Sequence, residues 1–192
     1  MKLFVNRYFE QYEKEKVPRK NGKGTRIQFR YVGDFYRLAI SDRRWKALKV
    51  IYPVIAAVFL GLYIYLALRP VSSNYSEYVG LFVILMVFPV YFLLYGIICF
   101  IAAKRDMTIR EYRESVRRVF WGSMAACILN AGVVIAQLVF FRSRGEATDL
   151  IQVLGFSACF ILMLGIFLLA LTSRGYVLIE NPNKPKKPKK DA

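Results

Sequence analysis

The stretch VGLFVILMVFPVYFLLYGIICFIAA, residues Val79–Ala103, contains 25 residues and no charge. A helix rises about 1.5 Å per residue, so about 20 apolar residues cross the roughly 30 Å hydrocarbon layer of a bilayer. Backbone groups in lipid have no water to bond with, and a helix satisfies them within the segment. Val79–Ala103 is therefore predicted to be a transmembrane helix.

Three further stretches share this composition: Leu48–Leu68, Val119–Phe141 and Leu150–Thr172. Although 22% of all residues are charged, the centres of these stretches hold no Lys, Arg or Asp, each of which would cost about 2.5–3.5 kcal/mol there. The sequence predicts an all-α membrane protein, a four-transmembrane-helix bundle of two helical hairpins with spans 48–68, 79–103, 119–141 and 150–172. A basic, aromatic-rich segment (1–47) precedes the transmembrane domain (48–172), and a Lys/Pro-rich tail (173–192) follows it.

The basic residues predict an orientation. Fourteen Lys and Arg occur up to Lys49, six in 104–118 and six from residue 173 onwards, which is 26 of the 29 in the chain. Cytoplasmic loops of membrane proteins carry the excess of Lys and Arg. We therefore expect both termini in the cytoplasm and the plasma membrane as the location. The net charge of +16 has this explanation, so nucleic acid is not expected as a partner.

The segment before the first span predicts local structure. Phe4, Tyr8 and Tyr12 recur every four residues, which favours a short surface helix, with a frayed terminus as the alternative. Alternating apolar residues predict short cytoplasmic strands that join in a small sheet: Ile27–Tyr31, Phe35–Ile40 and Tyr176–Ile179. Ser41 or Asp42 is expected to cap the first long helix, and Thr108 with Glu111 has capping-box spacing at the start of the third.

The third span carries a polar stripe. Ser123, Asn130 and Gln137 are seven residues apart and therefore share one helix face. Neighbouring helices, not lipid, accommodate such groups, so we expect this helix to be the most enclosed of the four. From their depths, Tyr91 is predicted opposite Asn130 and Tyr65 opposite Gln137, with at least one tyrosine hydroxyl bonded to an amide. The stripe indicates either interhelical hydrogen bonding or a polar pocket.

A second candidate site is basic. Cations next to an anionic inner leaflet gain roughly 1 kcal/mol each. The candidates for contacts with anionic lipid are Arg110, Arg113, Arg117, Arg118, Lys186, Lys187, Lys189 and Lys190. For the four lysines, a solvated tail that only sets topology is the alternative.

The residues that usually carry chemistry are sparse. The chain has no His, and its cysteines Cys99, Cys127 and Cys159 lie inside spans without metal-ligand spacing, so no metal and no cofactor are expected. We therefore expect a non-catalytic accessory, anchoring or regulatory subunit that binds a protein partner or further copies of itself. A small oligomeric transporter or channel is one alternative. An interfacial lipid-acting enzyme is another, using Asp34, Asp42, Asp106, Glu111 or Glu114, although acids so close to arginines are more often ion-paired.

Overall fold

A computed structural model describes residues 12–18, 25–144 and 147–182. Within them, four helices are long and apolar enough to cross a membrane, which confirms the predicted fold class. Helix α1 is Asp42–Leu68 and α4 is Ala147–Ser173. Helix α2 has two pieces, Glu77–Leu85 and Val87–Ala102. Helix α3 consists of Ile109–Tyr112, a π-helical turn Arg113–Arg117, and Arg118–Arg144.

The starts of α1 and α3 follow from their capping residues. The Ser41 hydroxyl accepts a hydrogen bond from the Arg44 amide at 3.3 Å. At α3, the Thr108 hydroxyl accepts from the Glu111 amide at 3.3 Å, and the Glu111 carboxylate accepts from the Thr108 amide at 2.8 Å. Both predicted caps are confirmed, and α3 begins at Ile109, well before its apolar stretch.

The interruption of α2 at Met86 has a local cause. Pro89 has no amide hydrogen and its ring crowds the carbonyl four residues earlier, at Leu85. Met86 nevertheless keeps helical dihedral angles, φ −62° and ψ −24°. The two pieces therefore form one span, Glu77–Ala102.

The core of the bundle is a set of seams whose buried positions recur every three or four residues. Such a spacing is typical of helices that pack side by side at small crossing angles. In α1 the seam is Trp45, Leu48, Tyr52, Ala56, Phe59, Tyr63 and Leu66. In α3 it is Val119, Ser123, Ala126, Asn130, Val133 and Gln137.

The expectation that α3 is the most enclosed helix is wrong. In its apolar window 22% of residues are buried, against 33% in the windows of α2 and α4. The polar stripe lies inside, but Trp121, Ile128 and Ile135 point out of the bundle. A buried stripe on one face therefore does not imply burial of the whole helix.

Four short strands lie at one end of the bundle. Strand β1 (Tyr12–Pro18) pairs antiparallel with β2 (Thr25–Tyr31), and β3 (Phe35–Leu38) pairs antiparallel with β4 (Tyr176–Ile179). The three predicted strands are present, although β3 ends at Leu38 and not at Ile40. The single sheet joining them is wrong, because β2 pairs with β1 instead of β3.

The surface helix predicted for Phe4, Tyr8 and Tyr12 is wrong at Tyr12, and the other two residues lie outside the described ranges. Tyr12 begins β1, and its ring packs edge-on against Tyr31 of β2 at 5.2 Å. A cross-strand contact therefore overrides the local four-residue spacing.

Three distant parts of the chain meet at this end, which we call the basic end. Tyr36 of β3 exchanges two backbone hydrogen bonds with Met107, at 2.8 and 3.0 Å. The Asn181 amide donates to the carbonyls of Tyr31 and Gly33, at 3.0 and 3.1 Å. The opposite end holds the α1–α2 connection, with a 3-10 turn at Ser72–Tyr75, and the start of α4.

Candidate functional site

The polar stripe of α3 lies inside the bundle. Ser123, Asn130 and Gln137 each have 0% exposure. The Ser123 hydroxyl donates to the Phe120 carbonyl of its own helix at 3.0 Å. The amide oxygen and nitrogen atoms of Asn130 and Gln137 have no hydrogen-bond partner among the described residues. The stripe thus places four buried amide atoms in the core without the interhelical bonds that the first interpretation requires.

The tyrosines predicted to bond these amides point elsewhere. Tyr91 and Tyr65 are 65% and 62% exposed, so both predictions are wrong. Membrane depth places a tyrosine at the level of an amide, but it does not specify which face of the helix the tyrosine occupies. Tyr63, a buried tyrosine on the α1 seam, bonds between helices instead: its hydroxyl donates to the Val83 carbonyl of α2 at 2.7 Å. The seam spacing in the sequence could have identified it.

Further buried polar groups lie at the opposite end, and sequence reasoning missed them. The side-chain amides of Asn74 and Gln152 both donate to the Leu66 carbonyl, at 2.8 and 3.0 Å. Their oxygen atoms, like both carboxylate oxygens of Asp149, are buried without a partner in the described part of the chain. Asp149 precedes the predicted stretch by one residue, yet it has 0% exposure. Asp149 precedes Gln152 by three residues and Phe156 by seven, so the three lie on one face of α4, and this spacing could have indicated that Asp149 is buried.

The predicted basic contacts separate into two groups. Arg113, Arg117 and Arg118 line a groove between α2 and α3 at the basic end. Arg110 does not line it, because its guanidinium points outward and pairs with Glu114 at 2.9 Å. The other four candidates, Lys186, Lys187, Lys189 and Lys190, lie outside the described residues.

Most of the acidic residues considered for an enzyme have structural partners. Asp42 forms an ion pair with Arg105 at 3.0 Å. Asp106 forms a bidentate ion pair with Arg37, with N–O distances of 2.6 and 2.8 Å. Glu114 and Glu111 are engaged by Arg110 and by the Thr108 cap.

Two effects change pKa values at the basic end. The hydrogen-bonded guanidinium of Arg37 lowers the pKa of the Asp106 carboxyl. Burial raises the pKa of the Tyr31 and Tyr36 hydroxyls. The two tyrosines are therefore neutral and Asp106 is ionised at neutral pH.

Cys99, Cys127 and Cys159 are free thiols inside helices. In the described ranges no group of His, Cys, Asp and Glu is arranged to hold a metal ion. No protein-family model, curated protein or solved structure matches this chain.

Proposed function

We propose that this chain is a non-catalytic accessory subunit of a plasma-membrane complex, with both termini in the cytoplasm and a protein partner bound at the basic end. The orientation is supported by the 26 Lys and Arg that flank the helices on that side. The subunit role is supported chiefly by one observation, the open edge of strand β4.

The geometry of β4 leaves backbone groups available for pairing. The Ala39 amide donates to the Gly175 carbonyl at 2.8 Å, at the start of the β3–β4 ladder. Antiparallel ladders alternate, so the backbone groups of Tyr176 and Leu178 point away from β3. No other described strand pairs with that edge. An open edge of this kind accepts an extended segment of another protein as an additional strand.

The side chains beside this edge are apolar and exposed. Tyr176, Val177 and Leu178 are 48%, 57% and 54% exposed, although they lie beyond the end of α4. On the neighbouring hairpin, Ile27 and Phe29 are also more than half exposed. Tyr176, Val177 and Leu178 are consecutive, apolar and exposed outside the membrane helices, which favours a protein contact. The surrounding excess of Lys and Arg favours a partner segment that carries Asp and Glu.

A photo-crosslinking amino acid at Val177 tests this proposal in native membranes. We expect one discrete adduct with a second protein, and no such adduct from the same group at Leu154, which is 62% exposed on α4. Leu178→Pro removes an amide that points away from β3, so it should abolish the adduct while Leu178→Ala retains it. An adduct within the chain itself, or equal adducts at both positions, would contradict the proposal.

A small transporter or channel is the second candidate, and the amides of Asn130 and Gln137 favour it. Buried polar atoms without partners cost about 1–3 kcal/mol each, so a hydrated path would explain their retention. Because the stripe carries no charge, its solutes would be neutral and polar. Proteoliposomes in a stopped-flow osmotic assay with glycerol or urea should then equilibrate faster than protein-free ones. Asn130→Leu and Gln137→Leu should remove the difference, and unchanged rates in these variants would exclude this path.

A further inference from the structure

The groove between α2 and α3 combines two chemical characters. Its volume is about 340 Å³. Arginines line the part nearest the basic end, and apolar or small residues line the rest. The lining residues are Arg113, Arg117, Arg118, Pro89, Phe92, Trp121, Gly122 and Ala125.

The π-helical turn at Arg113–Arg117 brings the arginines together. In an α-helix, residues five apart are about 140° apart around the axis, so Arg113 and Arg118 would point in different directions. A π-helical turn hydrogen-bonds residues five apart, which widens the helix and turns such a pair closer to one face. Both arginines consequently face the groove, with Arg117 between them in the sequence.

The charges of Arg117 and Arg118 are not neutralised by Glu114, the acid next to them in the sequence. Glu114 pairs with Arg110 on the exposed face of α3, at 2.9 Å. Among the ion pairs of the described residues, none involves Arg117 or Arg118. The Arg118 guanidinium lies 4.6 Å from the centre of the Tyr95 ring, which fixes its position. The groove therefore presents the positive charge of Arg117 and Arg118 to an anion.

Two glycines let α2 and α3 approach closely along one side of the groove. A Cβ atom on Gly122 would lie 3.0 Å from the Leu93 backbone. A Cβ atom on Gly96 would lie 3.0 Å from the Val119 nitrogen. Along α3, the distance from Arg117 to Ala125 is about 12 Å, and the walls over this length are apolar.

We propose that this groove is a binding site for one anionic phospholipid, with its phosphate among Arg113, Arg117 and Arg118 and one acyl chain against Phe92 and Ala125. Guanidinium groups form paired hydrogen bonds with two phosphate oxygens, and basic pockets between transmembrane helices bind lipid headgroups. The apolar walls select a lipid over a free phosphate ion. Trp121, one turn after Arg117 and Arg118, is half exposed. Aromatic side chains in this position are typical of the headgroup region of a membrane. This site is separate from the β4 edge and does not depend on a protein partner.

Native mass spectrometry of the detergent-solubilised chain, titrated with phosphatidylglycerol, tests the site. We expect one molecule to bind at least tenfold more tightly than phosphatidylcholine. Arg117→Gln should weaken phosphatidylglycerol binding roughly fivefold. Arg110→Gln is the matched control, because it removes the same charge from the same helix outside the groove, and it should leave binding unchanged.

The acyl-chain part of the proposal has its own variants. Ala125→Phe fills the apolar groove and should weaken binding, whereas Ile128→Phe enlarges an exposed side chain on α3 and should not. Inorganic phosphate at millimolar concentration should fail to displace the lipid. If Ala125→Phe does not elute as a single peak in size-exclusion chromatography, the smaller Ala125→Leu takes its place. Equal losses in Arg117→Gln and Arg110→Gln, displacement by phosphate, or full binding in the filled groove would each overturn the site.

Discussion

The basic end and the opposite end of the bundle treat polar groups differently. At the basic end, polar contacts between distant segments hold the structure, such as the Arg37–Asp106 pair and the Tyr36–Met107 backbone bonds. Towards the opposite end, Gln137 and Asp149 are fully buried without partners in the described chain. The basic end is thus joined by polar contacts, whereas the opposite end combines such contacts, those of Asn74 and Gln152 with the Leu66 carbonyl, with buried polar groups that have none among the described residues. Groups that cost stability are retained for another reason, which makes the buried polar positions Gln137 of α3 and Asp149 of α4 functional candidates.

The largest expected effect concerns the apolar seams. Phe156 of α4 has 0% exposure, and its ring packs edge-on against Tyr63 at 5.9 Å. Phe156→Ala should lower the free energy of unfolding by about 3 kcal/mol or more, because the cavity removes packing contacts. SDS titration followed by circular dichroism measures this loss. Leu154→Ala, on the outer face of α4, is the control and should change little; an equal loss there would remove the distinction between seam and surface.

The second effect has the opposite sign. Asp149→Leu should raise the free energy of unfolding by about 2 kcal/mol or more, because it removes a buried carboxylate that has no hydrogen-bond partner among the described residues. The same titration measures the gain. Glu77→Leu is the comparison, since Glu77 is an exposed acid in the first turn of α2 at the same end. A destabilised Asp149→Leu variant would show that this carboxylate has a stabilising partner, and the contrast between the two ends would fail.

A smaller effect is expected at the start of α3. Thr108→Ala removes the hydroxyl of the capping box and should cost about 1 kcal/mol. Because the cap lies at the basic end, amide hydrogen exchange should rise at residues 109–112 and remain unchanged at 147–153. Thr108→Ser keeps the acceptor and should restore protection. Equal exchange in the alanine and serine variants would mean that the cap does not set this boundary.

The smallest effect is pH-dependent. Arg37 lowers the pKa of Asp106 below its ordinary value near 3.8. The pair therefore contributes its full stability above about pH 4 and loses it as the pH falls through the lowered pKa. Both side chains are more than 40% exposed, so solvent screens the pair and its contribution to stability is small. In Asp106→Asn, amide hydrogen exchange at β3 and β4 should lose the increase that the parent chain shows as the pH falls. If the increase remains, a group other than Asp106 causes it.

The sequence was sufficient for features with a strong local cause. The four spans, the Ser41 and Thr108 caps and the strand character of Ile27–Tyr31 follow from apolar length, hydroxyl placement and alternation. Strand pairing did not follow, because the choice of β1 over β3 as the partner of β2 depends on contacts between distant segments.

The candidate sites were predictable to a similar extent. Spacing placed Ser123, Asn130 and Gln137 on one buried face, but membrane depth gave the wrong tyrosines because it does not determine which helix face points inward. The arginine groove required a π-helical turn, which shifts the register of α3 and leaves no clear mark in the sequence. The burial of Asp149 depends on how the start of α4 packs, so its position beside an apolar stretch did not reveal it.

Orientation in the membrane is the central claim, since both the partner edge and the lipid groove are assigned to the cytoplasmic side. Single cysteines at Tyr75, 79% exposed in the α1–α2 connection, and at Lys104, exposed at the basic end, test it with a membrane-impermeant maleimide. The unsubstituted chain gives the background from Cys99, Cys127 and Cys159. Intact cells should label Tyr75→Cys alone, and permeabilised cells should label both. Labelling of Lys104→Cys from outside intact cells would contradict the account.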